Sequence, residues 1–370
     1  MEGFALVERS ELRTFITDLE ATVKQGWEHH SVRYLRFGTK VVEWPRDRFI
    51  KNFQSRAFYH EPGISETTNI DALIAKANPA HVSLVITDLF QTDADVNSVV
   101  GAIKDGFIAK GIPVGVLPVP SQFAGTVFDA RVPAFQYRSN PADPKSRRPF
   151  YLMIFGAEAQ IQRLVAVFSD KRQIDSSQFL LVAPRIVAGE KVALVDKSRS
   201  RNFVATKAPA PNPNEFTFDL KDDRPATVEF DAELQPRASS APLDMTKLET
   251  VISRRRVGSG KQADGPVEPA PDLVLAGPLR VEGAHLRVPL RVDIKERDGT
   301  FAYRVNVQTA TVGSFLQPKW VGEWSSDDPR PGHEPNKTLN LDSFVRGLLQ
   351  AIQSTSQSPV LRFFLTIRKQ

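Results

Sequence analysis

Residues 82–119 read VSLVITDLFQTDADVNSVVGAIKDGFIAKGIPVGVLPV, and this stretch decides the fold class. VSLVIT (82–87) is a short continuous apolar run of the kind buried on both faces of a parallel sheet. Asp95 stands where an N-cap belongs, and Val96, Val99, Val100, Ile103 and Phe107 follow on one helical face. Gly111 then closes the helix ahead of a second buried run, IPVGVLPV (112–119). The strand–helix–strand order predicts an α/β domain with a doubly wound, mostly parallel sheet.

Upstream, Leu12, Phe15, Ile16, Leu19 and Val23 share one face of a helix capped by Ser10. VRYLRF (32–37) and KVVEW (40–44) flank Gly38 and Thr39 as a tight hairpin. Asn69 caps a short helix carrying Ile70, Leu73 and Ile74. Downstream, a polar, Pro-rich insertion from Ser121 to Pro149 leads to the strand FYLMIF (150–155) and a helix with Ile161, Leu164, Val165 and Phe168 inward. This domain is expected to span 1–175.

Residues 176–370 read differently. EFTFDL (215–220), ATVEFDAEL (226–234), LRVPLRVDI (286–294) and FAYRVNVQTA (301–310) alternate apolar and polar residues, which predicts antiparallel strands of an all-β, sandwich-like domain. Residues 254–272, rich in Gly, Pro and charge, are expected to be a disordered loop. The pattern closes on a helix from Leu341 to Ile352 and a strand, VLRFFLTIR (360–368).

Composition narrows the chemistry. The 370 residues fit a prior of roughly two domains. With Cys 0 there is no thiolate nucleophile, no disulfide and no Cys-ligated metal. The net charge of +5 is too small to point to nucleic acid by itself. No apolar run reaches the length of a membrane helix, and the opening MEGFALVERSELR lacks the basic and apolar blocks of a signal peptide. A cytoplasmic chain is expected as written, or an extracytoplasmic one if a signal peptide lies upstream.

The order of elements, the segment TTNIDAL (67–73) and the strand ending ITDLF (86–90) together resemble the von Willebrand factor A domain family over about residues 1–170. That family builds a metal-ion-dependent adhesion site from a D-x-S-x-S loop after its first strand, a Thr before a short helix and an Asp at a later strand end. The resemblance implies that Thr68 and Asp88 are the second and third of these elements. It also implies Mg²⁺ as the metal and a partner protein that offers a carboxylate, which suits a cation demanding octahedral oxygen ligands. The first strand and its D-x-S-x-S loop have no counterpart here. Met1 stands where the family's D-x-S-G-S-M would end, so a truncated start and an impaired or absent metal site are expected. A degenerate domain whose gap is filled by VLRFFLTIR is the alternative.

Asp93 and Asp95 read as helix-dipole partners rather than ligands. Ser121, Gln122 and Phe123 follow the 112–119 strand at the expected site edge and are candidates for partner contact. His29, His30, His60, His81, His285 and His333 have no zinc-ligand spacing, and neither a nucleophile elbow nor a phosphate-binding Gly loop is present. The basic clusters 145–148 and 254–256 read as solvated loops, and Trp320 and Trp324 as core anchors. The expected function is therefore a non-enzymatic protein–protein interaction module. A metal-dependent phosphate-ester hydrolase using Asp88, and a scaffold for nucleic acid using the basic loops, are the alternatives.

Overall fold

The computed structural model describes every residue except 66–67, 79, 90–95, 129–132, 172, 184–186, 196–198, 207–213, 237–243, 259–262, 297, 310–315, 329, 356–359 and 370. Asp93 and Asp95 lie outside the described residues. The chain forms two compact units. The first holds Met1–Pro184 and Phe315–Ser356 with 239–242; the second holds Arg185–Ala238, Leu243–Ser314 and Gln357–Gln370.

In the first unit, four strands form a sheet in the order Ser83–Thr87, Arg148–Phe155, Val114–Ser121, Leu180–Val182. Every neighbouring pair is antiparallel, which corrects the expected parallel sheet. Ser83–Thr87 and Val114–Ser121 do run the same way, joined through the helix Val96–Gly106, but Arg148–Phe155 lies between them in the opposite sense. The arrangement is a split strand–helix–strand unit. Continuous apolar runs report burial on both faces and carry no information on direction. The 122–147 connection carries the Ala124–Val127 and Phe135–Arg138 hairpin and returns the chain antiparallel beside Val114–Ser121.

Both sheet faces are covered. Phe150, Leu152 and Ile154 join one core with the helices Glu11–Gly26 and Glu158–Asp170. On the other face, Phe155 meets Phe107 with ring centroids 4.6 Å apart. The helix Leu341–Thr355 packs on Val96–Gly106, so closely that a Cβ on Gly347 would lie 3.0 Å from Val100. This helix was expected in the second domain. Its apolar face of Leu341, Phe344, Val345 and Leu348 is buried within the first unit instead, because tertiary packing rather than sequence proximity supplies its partner.

Local signals are met where they are short-range. Ser10 accepts a hydrogen bond from the Arg13 amide at 3.2 Å, and Asn69 from the Ala72 amide at 2.9 Å. Tyr34–Phe37 and Val41–Trp44 pair as an antiparallel hairpin. Gly111 adopts φ +76°, the left-handed turn that ends the helical segment.

The second unit contains a six-stranded sheet, Phe203–Ala205, Glu215–Leu220, Leu361–Lys369, Gly299–Thr309, Leu248–Arg256 and Glu268–Pro269 in spatial order. A second sheet has the order Leu273–Leu275, His285–Val292, Ala226–Pro236, Val187–Leu194. Side chains from both sheets share one core, including Phe218, Phe230 and Phe363, with the Phe230 and Phe363 rings 4.8 Å apart. One pair is parallel: Glu215–Leu220 beside Leu361–Lys369. The C-terminal strand thus occupies an interior position in this sheet and fills no gap in the first unit's. Residues 254–256 complete a strand, which corrects the loop expected from residue 254 onward; 259–262 lie outside the described residues.

Candidate functional site

Asp88 follows the last residue of Ser83–Thr87, and the register places Thr87 opposite Tyr151. The same central strand places Arg148 opposite Ser121. Asp88, Arg148 and the 121–123 segment therefore lie at one end of the sheet. Thr87 is buried, and its Oγ1 accepts the Leu89 amide at 3.0 Å. Leu89 has φ 58°, left-handed for a residue with a branched side chain.

The charge around Asp88 is positive. Its Oδ2 pairs with the Met1 ammonium at 2.5 Å. Burial pushes the Asp88 carboxyl upward, but the Met1 ammonium, by charge and hydrogen bond, and the Arg148 guanidinium outweigh it and hold the carboxyl below its ordinary value. Arg148 is 3% exposed and donates through Nη1 to the carbonyls of Pro335 at 2.8 Å and Lys337 at 2.5 Å. Tyr59 donates to the Phe53 carbonyl at 2.7 Å. Burial, then the charges of Glu2 and Asp88, raise its phenol. Glu2 in turn meets His60 Nε2 at 2.9 Å.

Thr68 sits half-buried two residues ahead of the helix Ile70–Ile74. Its neighbour Asn69 donates its amide to the Gly38 carbonyl at 3.2 Å, which ties this loop to the first hairpin. Arg36, 5% exposed, braces the preceding segment by pairing with Glu61, donating to the Phe58 carbonyl and lying 4.4 Å from the Phe58 ring centroid. Thr68 and Asp88 thus come from two separately fixed loops. Among the described residues, no group of three or more His, Asp or Glu side chains is placed to hold a metal ion. A divalent cation needs a surplus of anionic oxygen, and the Arg148 guanidinium beside Asp88 adds positive charge there.

The 121–123 segment is placed at the expected end, but its side chains do not all face outward. Ser121 is fully buried, accepting the Leu12 amide at 3.4 Å, and the Gln122 amide donates to Glu11 at 3.0 Å. Phe123 is 4% exposed and meets Phe4 edge-on at 4.9 Å. A buried ring in an aromatic cluster cannot contact a partner, so direct contact through Phe123 is corrected. The outward surface lies just beyond it, on the hairpin of Ala124–Val127 and Phe135–Arg138, where Phe128 is 54% exposed.

Arg148 and Tyr59 were not recognised as site residues from sequence. Arg148 read as one member of a solvated basic run. The apolar residues directly after it, FYLMIF, are the signal that the strand begins inside the core. Trp320 is buried as expected, and Trp324 donates to Gln178 at 3.3 Å.

No helix among the described residues is long and apolar enough to cross a membrane. No family model matches the chain, and no curated protein matches it.

Proposed function

We propose that the chain is a protein-binding scaffold rather than an enzyme, with the Asp88 end of its α/β unit as the recognition end. The observation that carries this reading is the buried Arg148, whose charge acts on Asp88 and helps to hold its carboxyl below the ordinary value. A carboxylate engaged in this way locks the end of a strand; it is poorly placed to hold a catalytic metal or to attack a phosphate. Mg²⁺ coordination at Asp88 and Thr68, which the family resemblance implies, belongs on this reading to a site that is impaired in this chain.

On this reading recognition falls to the hairpin of Ala124–Val127 and Phe135–Arg138 that follows the 121–123 segment, with Phe128, 54% exposed, at the end of its first strand. A partner captured by the full chain should be lost on Phe128→Asp, with unfolding unchanged. Loss of an exposed aromatic anchor costs about 2 kcal/mol or more in binding, a drop of more than tenfold. Capture that is unaffected by Phe128→Asp overturns the assignment of the hairpin. Turnover of a generic phosphate ester with Mg²⁺ or Mn²⁺, abolished by Asp88→Asn, would favour the hydrolase instead.

A further inference from the structure

The outer faces of the two sheets in the second unit differ in how completely their charges are paired. On the sheet containing Ala226–Pro236 and His285–Val292, cross-strand partners neutralise one another. Asp231 meets His285 at 3.0 Å and Arg287 at 3.3 Å, and Glu229 meets Arg280 at 2.5 Å. On the six-stranded sheet Arg368 lies opposite Asp219 and Arg255 meets Asp264 at 3.0 Å, but two arginines stand outside such pairing. On its outer face Arg304 stands opposite Phe364 and Ser253, while Arg362 stands opposite Asn306. Arg304 and Arg362 are therefore diagonal neighbours on adjacent interior strands, about 7–8 Å apart. Both are exposed, and neither has an acidic partner among the described residues.

Like charges at this spacing repel, and a sheet face with no other purpose would place an acid between them. Here the two positions between them are Phe364 and Asn306, neither of them acidic, and the nearest acid, Glu215, stands one strand further on, opposite Phe364. Arg362 is also pre-oriented, since its Nε donates to Asn306 Oδ1 at 2.9 Å and leaves its two terminal nitrogens for another acceptor. Arg368 extends the same strand about 20 Å further along; it lies opposite Asp219, which Lys221 approaches at 3.6 Å.

We infer that this face docks an extended acidic segment of a partner protein, with two carboxylates two residues apart meeting Arg304 and Arg362. Side chains at i and i+2 of a strand lie on one face about 7 Å apart, close to the spacing of the two diagonal backbone positions that carry Arg304 and Arg362. A nucleic-acid strand suits the face less well. Such platforms stack two or three bases on aromatics, whereas Phe364 is a single half-buried ring, and Glu215 and Glu249 border the face where phosphates would run. This surface makes no use of Asp88 or Phe128, so the inference stands or falls separately from the proposed recognition end.

The test is fluorescence anisotropy of the full chain with a labelled peptide of alternating Glu and Thr, beside a labelled oligothymidylate of equal length, at low and at physiological salt. Arg304→Gln with Arg362→Gln should weaken the peptide by about tenfold or more, as expected for the loss of two charge-assisted contacts. The control Arg291→Gln with Lys295→Gln removes the same charge elsewhere on the unit and should leave the affinity within about twofold. Arg304→Lys with Arg362→Lys keeps the charge without the planar fork and should fall between these, which also covers the case of a glutamine variant that fails to fold. Equal loss in the test and control pairs, or no loss in either, would overturn the inference. So would tighter binding of the oligothymidylate that is lost in the same arginine variants, which would assign the face to nucleic acid.

Discussion

Arg254 shows how a single residue can be misplaced by its neighbours in sequence. Within Arg254-Arg255-Arg256 it reads as part of a solvated cluster, yet it pairs with Asp272 at 2.5 Å, Glu296 at 2.9 Å and Glu268 at 2.9 Å. Asp272, 7% exposed, also accepts the Tyr303 hydroxyl at 2.7 Å. Asp272→Ala would strand a largely buried guanidinium and a phenol. The expected cost is about 3 kcal/mol, at the low end for a broken buried pair because Glu268 and Glu296 remain. Urea unfolding measures it, and a cost below about 0.5 kcal/mol would show that the network adds nothing. Arg148 teaches the same lesson in the first unit. Charge runs are visible in sequence, but their partners here lie from 9 to nearly 190 residues away.

At the scale of elements, helices and hairpins were legible because their signals are local. Ser10, Asn69 and Gly111 act within four residues of themselves. Strand direction was not legible, since VSLVIT, IPVGVLPV and FYLMIF look alike whichever way they run. The site was half legible for the same reason: Asp88 and the 121–123 segment do reach one sheet end, but the burial of Phe123 depends on the Glu2–Ala5 helix packing beside the Ala124–Val127 strand. That packing is testable. A Cβ on Gly3 would lie 2.4 Å from the Phe123 ring, and a Cβ on Gly125 would lie 3.2 Å from the Gly3 Cα. Gly3→Ala should therefore destabilise by about 1–3 kcal/mol, against the gain of a few tenths or more that alanine gives in an open helical site. A stabilised Gly3→Ala protein would show that the helix does not seat on Phe123.

For the whole molecule, buried tyrosines set the alkaline limit. Burial, with the Glu20 charge second, raises Tyr34 from 10.0 to about 12, and burial likewise raises Tyr59 and Tyr303. A phenol that stays neutral in the folded chain ionises first in the unfolded one. Its stabilising contribution is thus complete below about pH 10 and is lost as pH rises from there toward the folded value. Urea midpoints measured from neutral pH upward should fall beyond pH 10, and Tyr34→Phe should flatten part of that slope; a flat profile in the wild type would contradict the burial.

The central claim is that Asp88 is held by the protein's own positive charge and acts in a scaffold rather than as a metal ligand. Equilibrium unfolding of wild type and Asp88→Asn at neutral pH, each with and without millimolar Mg²⁺, tests it most directly. The account predicts that Asp88→Asn costs about 1–3 kcal/mol, as for a lost charged hydrogen bond, and that Mg²⁺ shifts neither protein. A saturable stabilisation of the wild type by Mg²⁺ that disappears in Asp88→Asn would contradict it, and would make Asp88 a metal ligand.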